Sequence, residues 1–281
     1  MIVCIIGMGL IGGSLAIDLR KRGFATRIIG VESDQQHAAI AKLGGLADET
    51  DTLENAVQRA ELIILATPVD AIGSLLPKVL DLVGGTQKAV TDMGSTKAGL
   101  AKRVKNHPNR RHYVAAHPMA GTEFSGPLAA VSKLFDYKCA IITDKQQSAP
   151  FALKLVRKMF KVLNMKLIYM NSEEHDMSAA YVSHISHISS FALSLCVLDK
   201  EKDKKRILSL AGGGFASTVR LAKSSAEMWV PVFEQNSPYI IEVLDTYIEK
   251  LKLFKDHIEK NRKSEVSDLI HEANKIQKIL S

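Results

Sequence analysis

The stretch Ile2-Val3-Cys4-Ile5-Ile6-Gly7-Met8-Gly9-Leu10-Ile11-Gly12 places an apolar run directly before glycines with the spacing G-x-G-x-x-G. The run favours a buried strand, and the residues from Leu10 onward favour a helix. In such a unit the first glycine allows a tight turn, the second lets a pyrophosphate approach the backbone and the third packs helix on strand. The stretch therefore predicts a dinucleotide-binding turn built from Gly7, Gly9, Leu10, Ile11 and Gly12.

An acidic residue ends the second apolar run. Glu32 lies 20 residues after Gly12, the separation at which a carboxylate in this kind of turn accepts the ribose hydroxyls of a dinucleotide. Its charge repels a 2′-phosphate, so the sequence predicts NAD as the cofactor and not NADP. Asp34 is the alternative acid, although it lies further from the strand. A glycine turn beside an unrelated surface glutamate is the competing interpretation.

Apolar runs alternate with helix-length segments over the first 170 residues. The predicted strands are Ile2 to Ile6, Arg27 to Val31, Leu62 to Ala66, Lys88 to Thr91, His112 to Ala116, Lys138 to Thr143 and Lys166 to Met170. The predicted helices are Leu10 to Arg22, Gln35 to Leu43, Val69 to Val83 and Ala149 to Leu163. This alternation is typical of an α/β fold with a mostly parallel, doubly wound sheet of the Rossmann type.

The strand pattern stops after Met170, and Asn171 or Ser172 is a candidate cap for the first of several helices. We therefore predict an NAD-binding Rossmann domain over residues 1–170 and an all-α domain over residues 171–281. In the last helical stretch an apolar stripe recurs at helical spacing, which favours burial against a second subunit over internal packing. Its members are Val266, Leu269, Ile270, Ala273, Ile276 and Leu280.

Polar residues follow the strands at the edge where ligands bind in open α/β sheets. Thr67 and Pro68 follow the third predicted strand, and Ser95 follows the fourth. Loops at this edge reach over a bound nicotinamide, so the hydroxyls of Thr67 and Ser95 are candidates for contact with cofactor or substrate. A helix-capping role is the alternative for each hydroxyl.

A histidine stands where a further strand ends. Pro118 restricts His117 to extended backbone, so the imidazole is held at the ligand-binding edge of the sheet. An imidazole titrates near neutral pH, which makes His117 a candidate general base. A hydrogen-bonded structural histidine is the alternative.

The helical half supplies candidates for substrate binding. Ser183 and His187 are one helical turn apart, and His184 lies beside them. Zinc is the rival ligand for the two histidines, but H-x-x-H without a third ligand is poor metal spacing, so we predict no metal site. Arg220 follows a triple glycine and is a candidate for bidentate carboxylate binding, with Lys97 or Lys223 as the fallback.

Composition excludes several classes of protein. The net charge is +7, but its densest run interleaves both signs and carries no aromatic residues, so we expect no nucleic-acid partner. The apolar N-terminal run is interrupted by glycines and lacks a basic flank, so we expect neither a leader nor a membrane span. Three cysteines in apolar contexts predict buried thiols and a cytoplasmic protein.

Several motifs together resemble the prephenate dehydrogenase family over nearly the whole chain. They are Gly9-L-I-G-G-Ser14, Asp92-M-G-S-T-Lys97, His117-P-M-A-G-T-Glu123, His175-D-M-S-A-A-Y-V-S-H-I-S-His187, Gly212-G-G-Phe215 and Met228-Trp229. The resemblance implies a Rossmann domain followed by a helical dimerisation domain, a homodimer, and NAD-dependent oxidative decarboxylation of prephenate to 4-hydroxyphenylpyruvate in tyrosine biosynthesis.

The resemblance also implies residue roles. His117 would be the catalytic histidine and Ser95 its hydroxyl partner, with Thr122, Ser183, His187 and Arg220 binding the substrate. The chain departs from the family pattern at Ser186, where a proline is usual, and at Ala216-Ser217, where Lys-Asp is often found. Arogenate dehydrogenase is the nearest alternative activity, and a noncatalytic dinucleotide sensor is the alternative from another class.

Overall fold

The computed structural model describes residues 1–203 and 206–280 of the chain. The fold divides into two compact units, residues 1–236 and 237–281. The predicted domain boundary after Met170 falls inside the first unit, where the first helices beyond it pack with the sheet, and it stays a prediction.

One eight-stranded sheet organises the first unit, with the order β3-β2-β1-β4-β5-β6-β7-β8. The strands are Ile2–Ile6 (β1), Arg27–Val31 (β2), Glu49–Thr50 (β3), Leu62–Leu65 (β4), Ala89–Asp92 (β5), Tyr113–Pro118 (β6), Cys139–Thr143 (β7) and Lys166–Met170 (β8). All neighbouring pairs are parallel except β6 and β7. The predicted doubly wound sheet is confirmed. The two-residue edge strand β3 was not predicted, because two residues form no hydrophobic pattern.

Helices cover both faces of the sheet. They are Leu10–Lys21 (α1), Gln35–Leu43 (α2), Leu53–Arg59 (α3), Val69–Leu82 (α4), Ala98–Val104 (α5) and Pro150–Val162 (α6). One apolar core joins α1 and α6 to one face, through side chains such as Leu15 and Phe160. The other joins α3, α4 and α5 to the opposite face, through side chains such as Leu76 and Leu100. The carboxyl ends of β1, β4, β5 and β6 are left open at one edge.

The helical segment of this unit begins where the sequence predicts. Asn171 caps the first helix, because its side chain accepts a hydrogen bond from the Glu174 backbone N–H at 2.7 Å. The elements are Ser172–Ala179 (α7), a π-helical turn at Ala180–His184, Ile185–Asp203 (α8), Gly213–Thr218 (α9) and Ala226–Gln235 (α10). The stretch Ser172–Lys202 is long and apolar enough to cross a membrane by length and composition alone, a criterion that core helices of soluble proteins also meet.

The second unit consists of Ser237–Glu259 (α11), Lys263–Asn274 (α12) and Gln277–Leu280 (α13). The predicted apolar stripe lies on α12 and beyond its end. Val266 and Leu269 are half-buried, whereas Ile270 and Ile276 are exposed. The side chain of Leu280 lies outside the described residues. Much of the stripe is therefore not covered within its own unit.

Candidate active site

A cavity of about 780 Å³ lies at the carboxyl ends of β1, β4, β5 and β6. The helical segment after Met170 supplies its remaining wall. The predicted site residues that line it are Gly7, Gly9, Leu10, Ile11, Glu32, Thr67, Pro68, Ser95, His117, Thr122, Ser183, His187 and Arg220. The fold thus brings together residues from nearly the whole length of the first unit.

One end of the cavity is made of backbone. Gly7 has φ +92°, and a Cβ there would lie 2.9 Å from the Ala66 backbone. A Cβ on Gly12 would lie 1.9 Å from the Gly7 carbonyl oxygen, so Gly12 packs behind the turn and does not line the cavity. At Gly9 the nearest heavy atom to such a Cβ is 4.0 Å away. The open space before Gly9, at the start of α1, fits a pyrophosphate.

Glu32 lies beside this turn. Its Oε2 accepts the Met8 backbone N–H at 2.9 Å, and its Oε1 accepts the Ser33 backbone N–H at 3.0 Å. Both hydrogen bonds hold the carboxylate at the cavity wall, where a ribose would lie. Asp34, the alternative acid, caps α2 by accepting the His37 backbone N–H at 2.8 Å. The arrangement favours Glu32 as the ribose ligand.

Thr67 and Ser95 line the cavity and do not cap helices. The N-cap of α4 is Pro68 and that of α5 is Lys97, so the capping alternative is wrong for both hydroxyls. Within the described residues, Thr67 Oγ1 is buried without a hydrogen-bond partner. A buried hydroxyl in this state costs free energy unless a ligand satisfies it, which points to a contact with bound cofactor.

His117 is held by a clamp on the preceding residue. Asp92 Oδ1 accepts the Ala116 N–H at 3.1 Å, and Lys97 Nζ donates to the Ala116 carbonyl at 2.7 Å. Lys97 also forms an ion pair with Asp92, and both side chains are fully buried. Tyr113 adds a hydrogen bond from its hydroxyl to Asp92 at 2.6 Å. Lys97 is therefore committed to this clamp, which removes it as a substrate ligand.

The imidazole of His117 is 9% exposed and faces the cavity on one side. On the other side its Nδ1 lies 2.9 Å from Nε2 of His175. Burial, with smaller contributions from His175, Lys97 and His184, holds the pKa of His117 well below 6.5. The ring is thus neutral at physiological pH and able to accept a proton.

The three polar residues at the π-helical turn and the start of α8 face in two directions. Ser183 and His187 line the cavity, and His187 Nδ1 donates to the Ser183 carbonyl at 3.0 Å. His184 instead points inward, where its Nδ1 accepts from the Asn236 amide at 3.0 Å. Burial lowers the pKa of His184 to about 4. The two histidines therefore have different hydrogen-bond partners, although both rings pack against Trp229.

His187 stacks on Trp229, with ring centroids 3.7 Å apart. The stacking and burial keep His187 at the cavity wall, and burial also lowers its pKa. The indole of Trp229 is 6% exposed and lines the cavity. Within the described part of the chain its Nε1–H has no acceptor, so it is available to a ligand.

Arg220 reaches the cavity from the short helical turn that follows α9. Its Nη1 donates to Glu123 Oε2 at 3.2 Å, and about half of the side chain is exposed. Thr122 lies beside this pair, with its Oγ1 accepting the Phe124 N–H at 3.3 Å. Lys223, the other fallback cation, is exposed and does not line the cavity.

Four residues in or directly behind the site had no individual role predicted from the sequence: His175, Asp176, Trp229 and Glu123. The adjacent His175 and Asp176 fall within the first turns of a helix, where acidic residues are common for reasons of the helix dipole alone. Trp229 is the sole tryptophan of the chain, which is a compositional signal for a binding surface. Glu123 follows directly on Thr122.

Comparisons with known proteins agree with this geometry. Residues 15–169 match the family model "Prephenate dehydrogenase, nucleotide-binding domain", and residues 171–272 match "Prephenate dehydrogenase, dimerization domain". A prephenate dehydrogenase from Bacillus subtilis is 32% identical over 92% of this chain and 70% of its own length.

Solved structures show the same likeness. Prephenate dehydrogenase from Aquifex aeolicus, in complex with hydroxyphenyl propionate and NAD⁺, superposes with a TM-score of 0.88 at 26% identity, covering 100% of this chain and 98% of that one. Arogenate dehydrogenase from Synechocystis gives a TM-score of 0.79 at 27% identity, covering 100% of both chains. The chain therefore belongs to the prephenate dehydrogenase family, and it is a dehydrogenase with NAD as its cofactor.

Proposed function

We propose that this enzyme oxidises prephenate with NAD⁺, releases CO₂ and forms 4-hydroxyphenylpyruvate, a step towards tyrosine. The observation that carries the proposal is the position of His117. Its neutral ring faces a cavity that has a dinucleotide-binding turn at one end and His187 with Arg220 at the other. A base between a hydride acceptor and an anion-binding wall suits the oxidation of a hydroxyl on an anionic substrate.

Bound NAD⁺ supplies the hydride acceptor. His117 Nε2 accepts the proton of the ring hydroxyl while the carbon that bears it loses hydride and becomes a carbonyl carbon. Ser95 orients that hydroxyl towards His117. The electron pair of the bond to the departing carboxylate then enters the ring, CO₂ leaves, and the ring becomes aromatic. The resulting phenolate recovers the proton from His117, so the base returns to its neutral state.

The helical wall orients the substrate. Arg220 offers a guanidinium that can bind a carboxylate through two parallel hydrogen bonds once Glu123 gives way. Ser183, His187 and Thr122 line the same cavity and would contact the remaining oxygens of the substrate. Stacking against Trp229 fixes the His187 ring, so this contact needs little reorganisation when substrate binds.

The direct test is the absorbance of NADH when pure protein is mixed with NAD⁺ and prephenate, with the product identified by mass spectrometry. We expect turnover with NAD⁺ and much less with NADP⁺. NAD⁺ binding without turnover of either prephenate or arogenate would contradict the proposal.

Arogenate is a second candidate substrate. It carries an amine in place of the side-chain ketone of prephenate. The carboxylate of Glu123, which pairs with Arg220, lines the cavity. Glu123 could pair with an ammonium group while Arg220 binds the neighbouring carboxylate. A side-by-side comparison of kcat/KM for the two substrates decides between them, and Glu123→Gln should reduce the rate with arogenate more than the rate with prephenate.

We propose in addition that the chain forms a cytoplasmic homodimer through residues 171–281. The support is the match of residues 171–272 to a dimerization domain and the exposure of apolar side chains on α8, such as Leu195 and Leu198. All three cysteines are free thiols, which suits a reducing compartment. Light scattering coupled to size-exclusion chromatography should give twice the chain mass.

A further inference from the structure

A buried chain of hydrogen bonds runs from the cavity into the protein behind His117. His117 Nδ1 contacts His175 Nε2 at 2.9 Å, and His175 Nδ1 contacts Asp176 Oδ1 at 2.7 Å. The Asp176 carboxylate also accepts the backbone N–H groups of Lys97 and Ala98 at 2.8 and 2.9 Å. His175 and Asp176 are 0% and 1% exposed. Neither residue touches the cavity, so neither has a role in the steps described above.

The chain ends in a carboxylate, which in its ionised form only accepts hydrogen bonds, and with a neutral His175 this determines where the protons lie. Asp176 takes two backbone amides, which is the pattern of an ionised carboxylate. His175 Nδ1 must therefore carry the proton of the third bond. A neutral His175 then has a bare Nε2 that accepts from His117, so His117 carries its proton on Nδ1. The remaining nitrogen of His117, Nε2, is left with a lone pair directed at the cavity.

We propose that His175 and Asp176 are positioning residues that hold His117 in the tautomer with a proton on Nδ1. The catalytic role of this tautomer rests on the proposed function. The tautomer itself can be observed without any substrate. With the opposite tautomer, His117 would present an N–H to the substrate hydroxyl and could not accept its proton.

The same chain keeps an acceptor in place for the Nδ1–H of His117 once the ring has accepted a proton. The imidazolium formed during turnover would donate more strongly to His175, whose other nitrogen is bonded to the Asp176 carboxylate. The charged and titratable groups that face His117 come from the end of β5 and the loop after it, from α7 and from the π-helical turn. They are Asp92, Lys97, His175, Asp176 and His184. The Asp92 carboxylate offsets the charge of Lys97, which leaves Asp176 as the nearest carboxylate to a protonated His117–His175 pair.

Nitrogen-15 NMR of histidine-labelled protein tests the tautomer. In the wild type, the resonances of His117, assigned by their loss in His117→Asn, should show a protonated Nδ1 and an unprotonated Nε2. In His175→Leu the bond to Nδ1 is gone, and the population should shift towards the tautomer protonated on Nε2. A wild-type His117 with a bare Nδ1 would overturn the proposal, because His175 would then be the donor.

Kinetics test the consequence for turnover. We expect His175→Leu to lower kcat about 10²-fold, the low end of the contribution of a general base, with the KM for substrate and the Kd for NAD⁺ changed less than threefold. His175→Gln places an amide oxygen near the position of the lost Nε2 and should restore part of kcat.

Control measurements separate this role from a structural one. The exposed His271 on α12 gives a matched variant, His271→Leu, that should leave kcat and the His117 resonances unchanged. Unchanged NAD⁺ affinity shows that a variant is folded. If the wild type is active and His175→Leu has an unaltered kcat, the positioning role is refuted and the proposed function is not. An inactive wild type whose His117 is protonated on Nδ1 refutes the proposed function and leaves the tautomer assignment standing.

Discussion

The two ends of the cavity are built from different materials. The dinucleotide end consists mostly of main chain, with the Glu32 side chain beside it: a glycine turn that lies against the backbone of Ala66, and the first residues of α1. The opposite end consists of side chains, with His117, His187 and Trp229 held by other buried groups. The first end requires residues without a side chain, since any Cβ on Gly7 or Gly12 would collide with backbone atoms. The second end depends on the protonation state of the histidine rings and on the orientation of the histidine and tryptophan rings.

This difference predicts two kinds of failure. Changes at the main-chain end should alter NAD⁺ binding or folding and leave the chemistry of a bound complex intact. Changes at the side-chain end should alter turnover or substrate binding while NAD⁺ still binds. Five substitutions in four experiments, taken from the largest expected effect to the smallest, test whether the two ends are this independent.

His117→Asn should have the largest effect on activity. We expect kcat to fall by about 10²-fold or more, because the general base is lost, while the Kd for NAD⁺ stays within threefold. In the wild type the active form is the neutral ring, so activity should fall as the pH drops through the lowered pKa of His117, well below 6.5. The variant should lack that limb. A near-normal kcat in His117→Asn would remove this residue from the mechanism.

Gly12→Ala and Gly9→Ala form a matched pair at the main-chain end. The new Cβ at residue 12 would lie 1.9 Å from the Gly7 carbonyl oxygen, so we expect a loss of about 1–3 kcal/mol of stability from overpacking. At residue 9 there is open space, so the Tm should barely change while the methyl group obstructs the pyrophosphate. Thermal melts with and without NAD⁺ measure both effects. Equal losses of Tm in the two variants would contradict this account of the turn.

Arg220→Gln tests the substrate side of the cavity. A charge-assisted pair with a carboxylate contributes roughly 1.5 to 3 kcal/mol, so the KM for prephenate should rise about tenfold to a hundredfold. The affinity for NAD⁺ should not change. If titration showed that NAD⁺ binding is weakened as much as substrate binding, the two ends would not be independent. If neither constant changed, Arg220 would serve only its ion pair with Glu123.

Glu32→Ala should have the smallest effect, confined to cofactor choice. Loss of the carboxylate removes hydrogen bonds to the ribose and relieves repulsion of a 2′-phosphate, so the preference for NAD⁺ over NADP⁺ should fall about tenfold. The ratio of kcat/KM for the two cofactors measures this. An unchanged ratio would transfer the role to Asp34.

The ends also differ in how far the sequence predicts them. Glycine spacing and the distance to Glu32 lie within one short segment, so local chemistry was sufficient for the turn and the cofactor. The bond from His117 to His175 joins residues 58 positions apart, and only the packing of α7 against the sheet brings them together. Local context was also insufficient for Cys196, which was predicted to be buried and is exposed on α8.

The first and last residues of the segment Asp92-M-G-S-T-Lys97 both form hydrogen bonds to the backbone of Ala116. Asp92 accepts the N–H of Ala116, and Lys97 donates to its carbonyl. The position of His117 is therefore fixed by hydrogen bonds from the end of the neighbouring strand β5.

The π-helical turn at Ala180–His184 has a consequence for chain length. A turn of this kind accommodates one residue more than a regular α-helical turn, and each residue of a regular helix adds about 100° of rotation. Deleting one residue here would let the helix close into regular form. Because the turn absorbs that extra residue, His187 and its neighbours on α8 would keep nearly the same rotational phase relative to α7. The segment thus accommodates one extra residue between α7 and α8 without rotating one helix against the other.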